Sequence, residues 1–321
     1  MKIVFAAFGM SLMVMQAAMA GPVQSFVQSP GPLGALKGTM LAPAMGHGAV
    51  VLIIPGSGPT DRDGNNAHGL KAGTYRLLAE GLAARGVTSV RIDKRGMFAS
   101  AGAVPDANAV TVDDYVRDVH EWVGVIRQRT GAPCVWLLGH SEGGLVALAA
   151  ARHQDDVCGL ILAATPGRRM ADVLRQQLQA NPANAPLLGQ ALPAIDALEA
   201  GKRVDTGAMN PALIPLFRPA VQGFLISLFS YDPVKLVGGY GKPVLILQGE
   251  RDIQVRPEDA RLLAGADPRA KLVLLPDVNH VFKAVDSESM GANAATYSDP
   301  SLPLAPGVVE AISTFLGAAE K

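Results

Sequence analysis

Short runs of apolar, often β-branched residues recur along the chain from residue 49 onward: AVVLIIP at 49–55, TSVRID at 88–93, CVWLLG at 134–139, VCGLILA at 157–163, PVLILQ at 243–248 and AKLVLL at 270–275. Near-continuous Val, Ile and Leu is the pattern of strands covered on both faces, as in a parallel sheet. Between them lie stretches of helical periodicity at 74–85, 112–129, 143–153 and 257–264, with a last one at 307–316. Strand and helix in alternation predict an α/β fold, a mostly parallel central sheet flanked by helices. The Gly- and Pro-rich residues 21–45 predict one or two antiparallel edge strands.

The alternation stops between about Gly167 and Gly241. About 70 residues are too many for an ordinary connection between two strands, so this stretch should carry helices of its own. It divides the mature chain into a core, 21–167 with 241–321, and an inserted helical cap, 168–240. Such an insertion faces the carboxyl ends of the strands, where ligands bind. Its apolar stripe, which includes Leu213, Phe217, Phe224 and Phe229, suggests an apolar pocket, although part of it must hold the cap to the core.

Residues 1–20 have a different composition. Lys2 precedes an apolar run from Ile3 to Met15, and Ala18-Met19-Ala20 follows before Gly21. This is the pattern of a secretory signal peptide cleaved near Ala20, with the mature protein periplasmic or secreted. The apolar run is shorter than the roughly 20 residues of a spanning helix, so no stable membrane anchor is expected. An oxidising compartment permits a disulfide between the only two cysteines, Cys134 and Cys158, which precede two predicted strands at similar offsets. Two buried free thiols are the alternative.

Charge narrows the chemistry further. Lys and Arg number 28, as do Asp and Glu, and no basic run is present, so a nucleic-acid partner is not expected. No His, Cys and carboxylate set has metal-ligand spacing, and no glycine-rich loop has the pattern of a nucleotide site, so no cofactor is expected.

The strongest local signal is Gly139-His140-Ser141-Glu142-Gly143-Gly144, between the strand CVWLLG and the apolar helical run LVALAAARH. A strand-to-helix turn this sharp needs small residues two before and two after its centre, and it lifts the central hydroxyl above the sheet. Ser141 is therefore the candidate nucleophile. A serine hydroxyl needs a base to take its proton, and that base needs an acid to hold its tautomer. Asp252 follows PVLILQ, and His280 follows AKLVLLP, so each lies at the carboxyl end of a strand, like Ser141. Glu250 and Asp277 are the alternative acids, whereas His47, His68, His120 and His153 have no strand end to place them.

An oxyanion needs two backbone donors. One is the N–H of Glu142, directly after the nucleophile, and the second is the N–H of Ser57 in the Gly56-Ser57-Gly58 turn after the first parallel strand. The same loop continues through Arg62 and Asp63, which either bind substrate or lock the loop as an ion pair. Arg62, Phe217 and Phe224 are the candidate substrate contacts.

Taken together, GSGPTDRDG at 56–64, DKRG at 93–96, GHSEG at 139–143 and YSDPSLPLAP at 297–306 resemble bacterial α/β-hydrolases of the carboxylesterase and serine aminopeptidase-like group. The resemblance implies the α/β-hydrolase fold, a Ser141, Asp252 and His280 triad, the Ser57 and Glu142 amides as oxyanion hole, and a cap before the acid-bearing strand. One departure follows DKRG: many members have a further Gly before a Ser, whereas this chain reads Met97-Phe98-Ala99-Ser100. The expected reaction is hydrolysis of a small-molecule carboxylic ester through an acyl-enzyme. A peptidase or a thioesterase uses the same scaffold. An acyltransferase or a catalytically silent binding protein stands further off. An aminopeptidase would call for an acidic pocket, for which Glu199 and Asp205 are the candidates.

Overall fold

The computed structural model describes residues 21–44, 48–152, 154–287 and 289–319; the signal-peptide reading falls on residues outside these, as do His47 and His153. Eight strands form one sheet: β1 (Val23–Ser29), β2 (Leu36–Ala42), β3 (Val50–Ile54), β4 (Thr88–Ile92), β5 (Val135–His140), β6 (Val157–Ala163), β7 (Val244–Gly249) and β8 (Lys271–Leu275). Their spatial order is β1-β2-β4-β3-β5-β6-β7-β8. β1 and β2 add antiparallel at one edge, and every pairing from β4 to β8 is parallel.

Alternate residues of the parallel strands enter two different apolar layers. Val51, Ile53, Leu138, Ile161 and Leu247 pack with the helices α1 (Thr74–Ala83) and α11 (Val308–Ala319), which cover one face. Leu52, Ile54, Leu137, Leu160 and Ile246 face the other way, toward α2 (Val112–Thr130) and α3 (Glu142–Ala150). The two-residue period of a strand sends successive side chains to opposite faces, so a strand covered on both sides must be apolar throughout. α2 starts at a capping box, in which the Thr111 hydroxyl accepts from the Asp114 N–H and the Asp114 carboxylate accepts from the Thr111 N–H, and it stops at Gly131 with φ 74°.

Five α-helices occupy the chain between β6 and β7: α4 (Met170–Ala180), α5 (Leu188–Glu199), α6 (Ile214–Phe217), α7 (Pro219–Phe229) and α8 (Pro233–Gly238). Phe217 and Phe229 are buried in the same apolar layer as Leu137 and Leu160, so the apolar stripe of this segment packs onto the core. After β7 come α9 (Pro257–Ala266) and then α10 (Met290–Ser298), an Ala-rich helix capped by Ser289 that strand-and-helix periodicity did not reveal. Among the described residues no single helix is long and apolar enough to cross a membrane.

Cys134 and Cys158 form a disulfide, with Cα atoms 5.2 Å apart and a sequence separation of 24. Parallel pairing of β5 with β6 sets Val135 beside Val157, and this register brings the two sulfurs together. Closing a loop of this length removes on the order of 3 kcal/mol of chain entropy from the unfolded state.

Candidate active site

Three strand ends build the site. β5 runs directly into α3 through Ser141, whose backbone sits at φ 54° and ψ −124°, a strained conformation for a residue with a side chain. The turn closes because its neighbours lack side chains. A Cβ on Gly139 would lie 2.2 Å from the Gly143 carbonyl oxygen, and one on Gly143 would lie 2.4 Å from that of Ile54. Ser141 is thereby lifted to the rim of a cavity of about 330 Å³ that His280 also lines. Ser141 Oγ makes no hydrogen bond with another described residue; catalytic hydrogen bonds of substrate-free enzymes are commonly open and tighten on binding.

The acid loop after β7 holds Asp252 by both oxygens. Oδ1 accepts from the N–H groups of Gln254 (2.8 Å) and Val255 (2.9 Å). Oδ2 accepts from Gln248 Nε2 (3.1 Å) and from His280 Nδ1 (2.7 Å). Because Nδ1 carries the proton in that last bond, Nε2 is left as the basic nitrogen. The other two candidate acids stand elsewhere: Asp277 pairs with Arg251 and is largely exposed, and exposed Glu250 lies 4.0 Å from Arg261.

The loop that carries His280 is pinned from α10. Fully buried Asn279 donates to Thr296 Oγ1 at 2.6 Å, and its own oxygen accepts from the N–H groups of Val281 and Lys283. Asn293, on the same helix, donates to the Arg251 carbonyl at 2.7 Å. One helix thus fastens both the acid loop and the histidine loop.

A second network joins the Gly56-Ser57-Gly58 turn to His280. The Gly56 N–H donates to the Tyr75 hydroxyl (3.0 Å), Tyr75 donates to His140 Nδ1 (2.9 Å), and His140 Nε2–H donates to the His280 carbonyl (2.8 Å). The Gly56 carbonyl in turn accepts from buried Lys94 Nζ at 2.6 Å. With both its polar groups engaged, Gly56 fixes the peptide that presents the Ser57 N–H, which has no acceptor among the described residues. The Glu142 N–H lies in the first turn of α3, where helix donors have no intrahelical partner. Burial holds Lys94 below the ordinary lysine value, and the Glu142 carboxylate, 3.8 Å away, opposes that shift without cancelling it.

His140 must be neutral to serve in this chain. Burial, and secondly the charge of His280, push it down from an ordinary value near 6.5 to about 3. The unfolded chain therefore binds a proton at this site from pH 6.5 downward that the native state refuses until about pH 3. Stability held at neutral pH is lost as pH falls through that window, by on the order of 2 kcal/mol between pH 7 and pH 5 from this group. Urea titrations at the two pH values check it; an unchanged midpoint would count against a buried neutral His140.

Arg62, Phe217 and Phe224 do not line the cavity. Arg62 donates through Nη2 (2.6 Å) and its backbone N–H (2.8 Å) to Asp93, which ties the loop to β4. Asp63 pairs with Arg91, so this charged loop is held by ion pairs at both positions. Phe217 is fully buried, and Phe224 packs edge-on against Tyr115. The apolar stripe expected to form the acyl pocket is used for packing instead, and the cavity takes Met170, Val173 and Gln177 from α4. Glu199 and Asp205 are also elsewhere: Glu199 accepts from Arg175, and Asp205 caps a turn through the Gly207 N–H. At the departure after DKRG, Phe98 adopts φ 47°, a region that favours glycine, while Ala99 and Ser100 bond back to Asp93.

Residues 66–214 match the family model of the serine aminopeptidases, S33. Esterase EstD of Thermotoga maritima is 25% identical over 275 residues, which are 83% of this chain; the chain spans 62% of the length of that relative. Among solved structures, a thermophilic esterase from Thermogutta terrifontis superposes with a TM-score of 0.55 at 22% identity, covering 94% of this chain and 100% of that one. Est1E from Butyrivibrio proteoclasticus gives 0.57 at 17% identity, covering 94% and 99%. At these identities the likeness of the structures is a likeness of fold. Sheet order, the strained serine between β5 and α3, and these structural likenesses agree on the fold: the chain has the α/β-hydrolase architecture.

Proposed function

We propose that this protein is an exported carboxylesterase that works through an acyl-enzyme. The observation that carries the reading is the 2.7 Å bond from His280 Nδ1 to Asp252, which leaves Nε2 of His280 as a base on the cavity that Ser141 also lines. Ser141 Oγ attacks the ester carbonyl as His280 Nε2 takes its proton, and Asp252 stabilises the imidazolium. The developing oxyanion is received by the N–H groups of Ser57 and Glu142. His280 then returns the proton to the leaving alcohol, and water repeats the sequence in reverse to release the acid.

An ester rather than a peptide is favoured by the cavity lining, in which no Asp or Glu is present among the described residues to hold a free amino terminus. The segment 168–240 acts as the cap, through α4. Export is supported by the apolar run after Lys2 and by a disulfide, which an oxidising compartment maintains.

Turnover of p-nitrophenyl acetate and butyrate, set beside alanine p-nitroanilide, tests the assignment. Ester cleavage should exceed anilide cleavage by orders of magnitude; cleavage of the anilide alone would transfer the protein to the peptidases.

A further inference from the structure

Beyond the cavity that holds Ser141 lies a second hollow of about 480 Å³, and the two share Asn66, Leu70, Gln254 and Tyr297 in their walls. Two of these four shared residues are joined by a side-chain hydrogen bond, from Gln254 Nε2 to Tyr297 Oη at 2.9 Å. On the far side the wall is mainly apolar: Ile253 is 42% exposed, with Leu70 and Ala294 beside it. Ile253 directly follows the candidate acid, so the outer hollow opens alongside the reacting groups, not at a remote surface.

Charge separates this surface from the rest of the protein. Neither hollow has an Asp, Glu, Lys or Arg in its lining among the described residues, although 17% of the chain is charged. The polar groups at the junction are amides and a phenol. Burial holds the Tyr297 phenol well above its ordinary pKa, so it stays protonated. A charged substituent laid across this boundary would lose water and meet no Asp, Glu, Lys or Arg, the one imidazole of the outer lining being the exposed His68, whereas an uncharged chain would cover Ile253 and Leu70.

We infer that the outer hollow is a second substrate subsite, and that the protein acts on elongated, uncharged esters whose acyl chain crosses the Gln254–Tyr297 pair into it. The inference rests on the hydrolase reading of Ser141, Asp252 and His280. A short acyl group is confined to the inner cavity, while a chain of about eight carbons passes the boundary and lies against Ile253.

The test compares p-nitrophenyl acetate, p-nitrophenyl octanoate and the mono-p-nitrophenyl ester of an eight-carbon diacid. The substrates are assayed on the wild type, on Ile253→Ser and on Ala294→Trp, which fills the hollow from exposed α10. Wild type should prefer the octanoate to its carboxylate-ended counterpart by at least about tenfold in kcat/KM. Both variants should lose about tenfold on the octanoate and keep acetate turnover within about twofold. Equal losses on acetate and octanoate, or no loss on either, would overturn the subsite while leaving the hydrolase reading in place. No turnover of any ester by the wild type would remove the hydrolase reading and the subsite together.

Discussion

Ser141→Ala is expected to lower kcat for ester hydrolysis by roughly a million-fold, with the fold retained. The Ala side chain keeps the Cβ that the elbow accommodates and removes only Oγ, which has no hydrogen-bond partner among the described residues, so little stability is lost with it. What disappears is the nucleophile, and with it the acyl-enzyme. Residual rate over water should come from the oxyanion donors and from binding, because Gly56 is still held by Tyr75 and Lys94. Steady-state assays with p-nitrophenyl acetate, beside a thermal melt of both proteins, read the two quantities separately. A variant that melts like wild type and retains more than a few per cent of its activity would move the chemistry to another residue.

Asp252→Asn is expected to cost roughly four orders of magnitude in kcat with a small change in KM. The reason lies in the four donors that surround this carboxylate. The N–H groups of Gln254 and Val255 would claim the single amide oxygen of Asn, which turns its NH₂ toward Gln248 Nε2 and His280 Nδ1. Two donors would then face each other, so His280 must place its proton on Nε2 and leave Nδ1 as acceptor. In that tautomer the nitrogen facing the cavity has no lone pair for the Ser141 proton. The pH profile discriminates this mechanism from simple damage. Activity of the variant should recover as pH rises and hydroxide replaces the missing base, whereas a disordered site would remain inactive throughout. Should Asp252→Asn retain wild-type kcat, Asp252 is not the orienting acid.

Much of the site was legible because its chemistry is local. The elbow is six consecutive residues whose glycines are needed by the turn they form, and Asp252 and His280 follow apolar runs that could hardly be anything but strands. Cys134 and Cys158 were legible as a possible pair for the same reason, since both lie at the starts of apolar strand runs. Tyr75, Lys94, Asn279 and Asn293 were not legible. Tyr75 reads as an apolar-face residue of α1, and its hydroxyl acquires meaning only when β3, α1 and β5 bring Gly56 and His140 to it. The sequence places His140 only within the Gly139 to Gly144 turn, and its bond to the His280 carbonyl spans 140 residues.

Phe217 and Phe224 show the opposite failure. An apolar stripe on an inserted helix has the same pattern whether it faces a ligand or the core, because periodicity reports which face is apolar and not what covers it. The packing of Phe217 beside Leu137 and Leu160 settled that question, as did the exclusion of Arg62 from the cavity by its bonds to Asp93.

The sequence by itself determined the alternation of strands and helices, the serine turn and the placing of Ser141, Asp252 and His280 in that order at strand ends. Each of these depends on residues close in the chain, where backbone sterics and side-chain period act directly. Only the tertiary structure decided which neutral histidine and which lysine brace the Gly56-Ser57-Gly58 turn, which helix pins the loops of Asp252 and His280, and which α4 side chains border the cavity. Those contacts join residues tens to hundreds of positions apart, and their geometry is set by sheet register and helix packing, which no local pattern records.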